Sequence, residues 1–109
     1  MNFLLAGSLA YDTILIHSGE FHHKILPEEI SRLNVAFGIQ SVSEQFGGTA
    51  GNIAYNSALL NNYPMMISCV GKENFQKYAT HLANCNIDLN HLTIIEKEKM
   101  AQAWLMTDK

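Results

Sequence analysis

The chain has 109 residues, a net charge of −3 and a pI near 5.9, so neither nucleic acid nor an anionic membrane, which both favour basic patches, is an expected partner. Its 48% hydrophobic and 16% charged residues are typical of one modest globular domain rather than a disordered chain. No apolar run approaches the roughly 20 residues of a transmembrane helix, and the N-terminus lacks the basic segment of a signal peptide. We therefore expect a cytoplasmic protein.

The chain begins with a short apolar run over residues 3–6, which a glycine closes. This pattern predicts a buried strand of the parallel type. Ser8 and Asp12 follow at its carboxyl end, where open α/β sheets place ligand-binding groups. Residues 13–17 are β-branched or apolar and predict a second strand.

The rest of the sequence predicts one short helix, two helices of ordinary length and several strands. Asn61 tolerates the left-handed conformation that often ends a helix, and Asn74 can cap the start of another. The order of elements indicates an α/β domain with two core-type strands and a small accessory sheet. The predicted elements are a short helix over 27–33, extended segments at 35–39 and 41–46, helices at 53–61 and 75–84, and strands at 65–70, 92–95 and 100–107. The helical spacing of Phe75, Tyr78, Ala79 and Leu82 predicts one apolar face on the helix at 75–84.

A glycine-rich loop, Phe46-Gly47-Gly48-Thr49-Ala50-Gly51-Asn52, leads into the predicted helix at 53–61. A helix that starts there would point unpaired N–H groups at a polar ligand. The loop matches neither G-x-G-x-x-G nor G-x-x-x-x-G-K-[ST], which disfavours a dinucleotide or phosphate cradle, and a simple tight turn remains open. Asn52 offers both a donor and an acceptor, which favours recognition of hydroxyl groups.

Asp12 and the histidines are further candidates for ligand or metal binding. The Asp12 carboxylate can accept hydrogen bonds from both hydroxyls of a vicinal diol, although an exposed turn aspartate is an equally ordinary reading. The adjacent pair His22 and His23 suggests a metal site, but neighbouring side chains should diverge and no carboxylate or cysteine stands at ligand spacing. We therefore expect solvated histidines and no metal site.

Residues 47–54, with the spacings that follow to Asn61 and Gly71, resemble the N-terminal signature of the PfkB (ribokinase-like) carbohydrate and nucleoside kinases. Asn61 departs from this pattern, since the family has Gly or Ser there. Residues 7–12 resemble the family's first strand with its substrate aspartate. Residues 70–73 resemble the family's V-G-x-D segment, with Glu73 as a departure, and residues 86–88 resemble its G-I-D segment, with Asn86 as a departure. Residues 25–30 and 35–37 look most like bacterial adenosine-kinase-type members of the family.

The resemblance implies a partial Rossmann-like α/β/α fold of the ribokinase type with a small β-sheet lid. Residues 1–109 would be the N-terminal part of the kinase domain, ending before the ATP-binding half. The lid strands would lie at about 13–18, 35–46 and 92–107.

For the site, the resemblance implies that Asp12 and Asn52 hold sugar hydroxyls. Gly47 and Gly48 would allow close backbone approach, and Ser8 would line the same pocket. The family transfers the γ-phosphoryl group of ATP to a sugar or nucleoside hydroxyl with the help of Mg²⁺. Adenosine, ribose and other sugars all remain open as the substrate.

The family's catalytic aspartate lies in a G-A-G-D-type motif towards the C-terminus, and nothing in this sequence matches that motif. We therefore expect no catalytic residue, no complete ATP or Mg²⁺ site and no meaningful turnover from this chain alone. The expected partners are a small sugar or nucleoside and the missing C-terminal half, with self-association through exposed core and lid surfaces. The alternative is a non-catalytic ligand-binding module or a degenerate kinase remnant. A dinucleotide-dependent oxidoreductase fragment is disfavoured by the loop pattern.

Overall fold

The computed structural model describes residues 3–25, 27–32 and 35–109. Their contacts divide the chain into two compact units. The core unit contains Met1–Asp12 and Phe46–Ala103, and the small unit contains Thr13–Gln45 and Trp104–Lys109. In chain order the elements are β1 (Leu4–Ala6), β2 (Ala10–His17), 3-10 turns at Phe21–His23 and Pro27–Arg32, β3 (Ile39–Gly47), α1 (Thr49–Leu59), β4 (Met65–Gly71), a 3-10 turn at Lys72–Asn74, α2 (Gln76–Asn84), β5 (Leu92–Ile95) and β6 (Ala101–Thr107).

The core unit is built on a parallel sheet with the strand order β1-β4-β5. Leu4 pairs with Met65, and Ser68 pairs with Leu92. The prediction that 92–95 belongs to the accessory sheet is therefore wrong. An isolated parallel bridge between Met65 and Asp88 already brings the chain before β5 alongside β4, so β5 continues that pairing.

One face of this sheet carries the core. Along β4, Met66 and Val70 are buried while Met65 and Ile67 are exposed, so the strand has an inner and an outer face. Helices α1 and α2, with the residue that precedes α2, pack on this face through Ala50, Ala54, Phe75, Tyr78 and Leu82. The predicted apolar face of α2 is confirmed, because its residues belong to this cluster or pack against it.

The outer face of the parallel sheet is uncovered within the described part of the chain. Leu4 is 60% exposed, and Met65 and Ile67 are 45% and 46% exposed. Cys69 is also exposed on β4 and, like Cys85, is a free thiol. Parallel sheets are normally covered on both faces, so this apolar surface is one that a further layer would bury.

The second sheet has the strand order β3-β2-β6. In the small unit, His17 is buried and its Nδ1 donates to the Gly38 carbonyl at 2.6 Å. The Phe37 ring meets the His17 ring edge-on at a centroid distance of 5.2 Å. Every residue of β6 is exposed, and Trp104 is 65% exposed.

Local boundaries differ from prediction where tertiary partners decide them. The segment 35–39 becomes a strand only at Ile39, and α1 begins at Thr49 rather than at 53. The predicted short helix is a 3-10 turn, and its predicted last residue, Leu33, lies outside the described residues. Asn61 has the predicted left-handed conformation, with φ 59°. The prediction that Asn74 caps α2 is wrong, as its side-chain oxygen accepts the Met100 N–H at 2.7 Å instead.

No helix in the described ranges is both long enough and apolar enough to cross a membrane.

Truncating the central core methionine should destabilise the fold strongly. Met66 is 0% exposed on β4, and Met→Ala at such a site typically costs about 2–5 kcal/mol because a cavity remains. Met65→Ala is the matched control, since its side chain is 45% exposed on the same strand and should change stability by less than about 1 kcal/mol. Urea denaturation followed by circular dichroism measures both, and equal losses would contradict this assignment of inner and outer faces.

Candidate functional site

Ser8 caps helix α1 from a different part of the chain. The Thr49 N–H donates to Ser8 Oγ at 3.1 Å, and the Ala50 N–H donates to the Ser8 carbonyl at 3.0 Å. The Gly51 N–H points to the same carbonyl at 3.4 Å. The expectation that these N–H groups are unpaired and face a ligand is therefore wrong. The first turn of α1 is satisfied internally, which removes the main reason to see an anion cradle here.

Gly48 makes this cap possible. It is the residue before α1 and has φ 89° and ψ 149°, a conformation that L side chains rarely adopt. A Cβ at this position would overlap the Ser8 carbonyl and lie 2.9 Å from the Ala10 nitrogen. The close approach that glycine allows at position 48 is therefore an approach to the protein's own backbone.

Asp12 lies inside β2, not in a turn after β1. Its half-buried carboxylate rests against Gly47, where an added Cβ would lie 2.7 Å from Asp12 Cγ. Gly47 is thus the residue whose missing side chain leaves room for the carboxylate. The exposed-turn reading of Asp12 is excluded by this placement.

Asn52 stands on the first turn of α1 and is exposed. Its backbone N–H donates to the Gly48 carbonyl at 3.0 Å, and its carbonyl accepts the Asn56 side-chain amide at 2.8 Å. Among the described residues, no hydrogen bond engages the Asn52 amide group or the Asp12 carboxylate. These two polar groups therefore keep their hydrogen-bonding capacity for another molecule.

Tyr78 supports this arrangement from α2. Its hydroxyl donates to the Gly47 carbonyl at 2.6 Å, and its backbone N–H donates to the Tyr11 hydroxyl at 3.2 Å. Tyr11 in turn donates to the Asn74 carbonyl at 2.7 Å. Burial, then the Asp12 charge and Tyr11, raise the pKa of Tyr78 to about 12, so the hydroxyl remains a donor at neutral pH.

The absence of a side chain at Gly51 leaves room for the Tyr78 hydroxyl. A Cβ on Gly51 would overlap this hydroxyl and lie 3.2 Å from Leu9 Cδ2. Sequence reasoning placed Tyr78 on the buried face of its helix but missed its polar role. The available signal was chemical, because a tyrosine on a buried face must find a partner for its hydroxyl.

The model of the pfkB family carbohydrate kinases matches residues 9–109 of this chain. The chain belongs to the PfkB family. The resemblance of the glycine loop and its spacings is thereby confirmed.

Solved structures extend the comparison to the fold. The nucleoside kinase of Burkholderia thailandensis in complex with inosine has 29% identity and a TM-score of 0.78, with 99% of this chain matching 33% of that one. The nucleoside kinase of Methanocaldococcus jannaschii, described as an archaeal member of the ribokinase family, has 28% identity and a TM-score of 0.80 over 99% of this chain and 33% of that one.

A ribokinase from Cryptococcus neoformans in complex with ADP has 16% identity and a TM-score of 0.72, over 96% of this chain and 30% of that one, and shares the fold. The predicted ribokinase-like α/β fold is confirmed. The chain spans about a third of the length of these kinases.

Beside the signature loop of this PfkB chain lies a cluster of aromatic rings. Phe46, the first residue of the glycine-rich loop, stacks on His81 with 4.1 Å between ring centroids and 4° between planes. Tyr78 meets Phe46 edge-on at 4.9 Å, and Tyr55 lies 5.5 Å from His81. Burial lowers the pKa of His81, which favours the neutral ring in this stack. The sequence pattern does not predict this stack.

A separate cavity of about 430 Å³ lies at the other end of the parallel sheet, among Phe3, Tyr63, Met65 and Asp88. These residues stand at the amino-terminal ends of β1 and β4. Ligands of open α/β sheets bind outside the carboxyl ends of the strands, where Ser8 follows β1. None of Ser8, Asp12, Gly47, Gly48 and Asn52 lines this cavity, so its size does not make it the candidate site.

Proposed function

We propose that this chain is the substrate-binding N-terminal part of an ATP-dependent kinase that phosphorylates a hydroxyl group of a nucleoside or sugar. The observation that carries the proposal is the Asp12 carboxylate. It is half-buried against Gly47 and has no hydrogen-bond partner among the described residues. A carboxylate in that state suits a ligand that brings its own donors, and a vicinal diol brings two.

In the proposed complex, Asp12 accepts hydrogen bonds from two neighbouring hydroxyls of the sugar. Asn52 uses its amide as a donor or an acceptor to a further hydroxyl. Gly47 leaves room for the Asp12 carboxylate, Gly48 leaves room for the Ser8 carbonyl, and Ser8 borders the same pocket while it caps α1. Each side chain in this scheme binds and orients the substrate.

A nucleoside is preferred to a free sugar for two reasons. Solved structures at 28–30% identity include two nucleoside kinases, and the one from Burkholderia thailandensis is described in complex with inosine. Residues 25–30 also resemble adenosine-kinase-type members. We therefore propose a purine nucleoside, such as adenosine or inosine, as the substrate class.

The chemical step would require groups outside this chain. Phosphoryl transfer depends on positioning of the nucleotide and on stabilisation of charge at the transferred group. ATP and Mg²⁺ would be held largely by the remainder of the kinase, and no catalytic residue is proposed within residues 1–109.

The remainder of the kinase is also the proposed cover for the outer face of the parallel sheet, where Leu4, Met65 and Ile67 are exposed. Without it, this face and β6 would favour self-association. A cytoplasmic location is part of the same proposal.

Calorimetric titration of the chain with inosine, adenosine and ribose tests the proposal. Asp12→Ala should weaken nucleoside binding by about 10- to 150-fold, since a hydrogen bond to a charged group contributes about 1.5–3 kcal/mol. Asn52→Ala should weaken it by a smaller factor, on the order of fivefold, because its hydrogen bonds are neutral.

Asn56→Ala is the matched control, one turn further along the same exposed helix face, and should bind as the parent chain does. Asp12→Asn keeps the side-chain volume and separates loss of charge from loss of packing. Unchanged affinity in Asp12→Ala, or equal losses in Asn52→Ala and Asn56→Ala, would refute the proposed site.

A further inference from the structure

Two imidazoles and one carboxylate converge on the surface of the small unit. Glu20 Oε2 lies 3.1 Å from His22 Nδ1 and 3.8 Å from His23 Nε2. The three potential ligand atoms all lie within 4.8 Å of one another. The expectation that adjacent histidines diverge and lack a carboxylate is wrong here, because the 3-10 turn at Phe21–His23 turns both rings towards Glu20.

The turn that carries these side chains is anchored on both sides. The Phe21 ring stacks on His17 at 6.0 Å and meets Phe37 edge-on at 5.0 Å. The Phe21 N–H donates to Asp108 Oδ2 at 2.7 Å, and the His23 N–H donates to the Glu20 carbonyl at 3.2 Å. The backbone that presents the three ligands is therefore fixed by contacts independent of any ion, which lowers the entropic cost of binding one.

We propose that Glu20, His22 and His23 form a surface site for a divalent transition-metal ion of the Zn²⁺ type. Two imidazole nitrogens and a carboxylate oxygen are a known zinc ligand set, with water in the fourth position. Bonds of about 2.0–2.2 Å to a tetrahedral ion separate ligand atoms by roughly 3.3–3.6 Å. The two distances from Glu20 Oε2 bracket that separation, and rotation of the exposed side chains would bring all three ligand atoms, now within 4.8 Å of one another, to it.

The ligand atoms of this site do not suit Mg²⁺, the ion that assists phosphoryl transfer. Mg²⁺ prefers an octahedral shell of oxygen ligands, whereas imidazole nitrogen favours zinc, copper and nickel. Imidazole must be deprotonated to bind a metal, so affinity should fall on acidification. The three residues lie in the small unit, whereas the proposed substrate-binding residues lie in the core unit, so each site can be tested with its own variants.

Calorimetric titration with Zn²⁺ after removal of metals with EDTA tests the proposal. The experiment uses the full chain with Cys69→Ser, because an exposed thiol is itself a zinc ligand. We expect one Zn²⁺ per chain, and at least about tenfold weaker binding in His22→Ala, His23→Ala and Glu20→Gln. His91→Ala is the matched control, since His91 is exposed in the core unit and should leave affinity unchanged.

Titration with Mg²⁺ should give no heat at this site. All three ligand side chains are at least 48% exposed, so the variants should keep the parent far-ultraviolet circular dichroism spectrum. Absence of zinc binding at millimolar concentration would overturn the proposal and leave a Glu20–histidine ion pair only. The same conclusion would follow if His22→Ala and His23→Ala bound Zn²⁺ as tightly as His91→Ala does.

Discussion

Gly48→Ala should lower the free energy of unfolding by about 2–6 kcal/mol. A non-glycine residue held in a sparsely populated backbone region costs on the order of 1–3 kcal/mol, and φ 89° with ψ 149° is such a conformation. The added Cβ would also overlap the Ser8 carbonyl, and overpacking of this kind costs about 1–3 kcal/mol more. Backbone atoms form the obstacle, so no rotation of a side chain can relieve it.

Denaturant unfolding of Gly48→Ala and Gly38→Ala side by side measures this effect. Gly38 has no atom within 4 Å of its ideal Cβ, and its φ lies outside the left-handed region. Its replacement should leave stability unchanged or raise it by up to about 1 kcal/mol through a less flexible unfolded chain. Similar stabilities for the two variants would show that position 48 does not hold the strained conformation described above.

Gly51 and Tyr78 should be coupled in stability. Gly51→Ala alone should cost about 1–3 kcal/mol, because its Cβ would coincide with the Tyr78 hydroxyl. Tyr78→Phe alone should cost a similar 1–3 kcal/mol, since the buried Gly47 carbonyl loses its donor. In the double variant the colliding oxygen is gone, and the nearest atoms are the ring carbon at 3.1 Å and Leu9 Cδ2 at 3.2 Å. Both belong to side chains that can shift slightly.

The double variant should therefore be more stable than the sum of the single effects predicts, by about 1–2 kcal/mol. A double-mutant cycle by urea denaturation gives this coupling energy. Tyr55→Phe replaces Tyr78→Phe in the control cycle, because Tyr55 is exposed and none of the three atoms nearest to a Cβ at position 51 belongs to it. Additivity within about 0.5 kcal/mol in the Tyr78 cycle would contradict the close contact between α1 and α2.

The local rules of sequence reasoning succeed where one residue decides the backbone. Asn61 ends α1 in the left-handed region as predicted. The family and its fold are also predicted from the loop and its spacings. The glycines of this loop are required because a side chain at each would collide with a neighbouring group. Gly47, Gly48 and Gly51 each leave room for a different neighbour, namely Asp12, the Ser8 carbonyl and Tyr78.

Prediction fails where the partner is distant in sequence. A capping residue is expected next to its helix, yet Ser8 caps α1 from 41 positions away, and Asn74 bonds to Met100 instead of capping α2. The hydroxyl of Tyr78 finds its acceptor 31 positions away. Such pairs depend on tertiary packing, which propensity and periodicity do not contain. The proposed roles of Asp12 and Asn52 in substrate binding remain predictions for the calorimetric experiments above.

The parallel pairing of β1 with β4 has a consequence for biosynthesis. Leu4 pairs with Met65, so the first strand leaves the ribosome roughly 60 residues before its partner, an interval of about 3–12 s at typical elongation rates of 5–20 residues per second. During that time the β1 segment cannot form its backbone hydrogen bonds with β4. Nascent chains of this protein should therefore be most vulnerable to aggregation and chaperone capture before β4 emerges, and premature termination in α1 should yield an insoluble product.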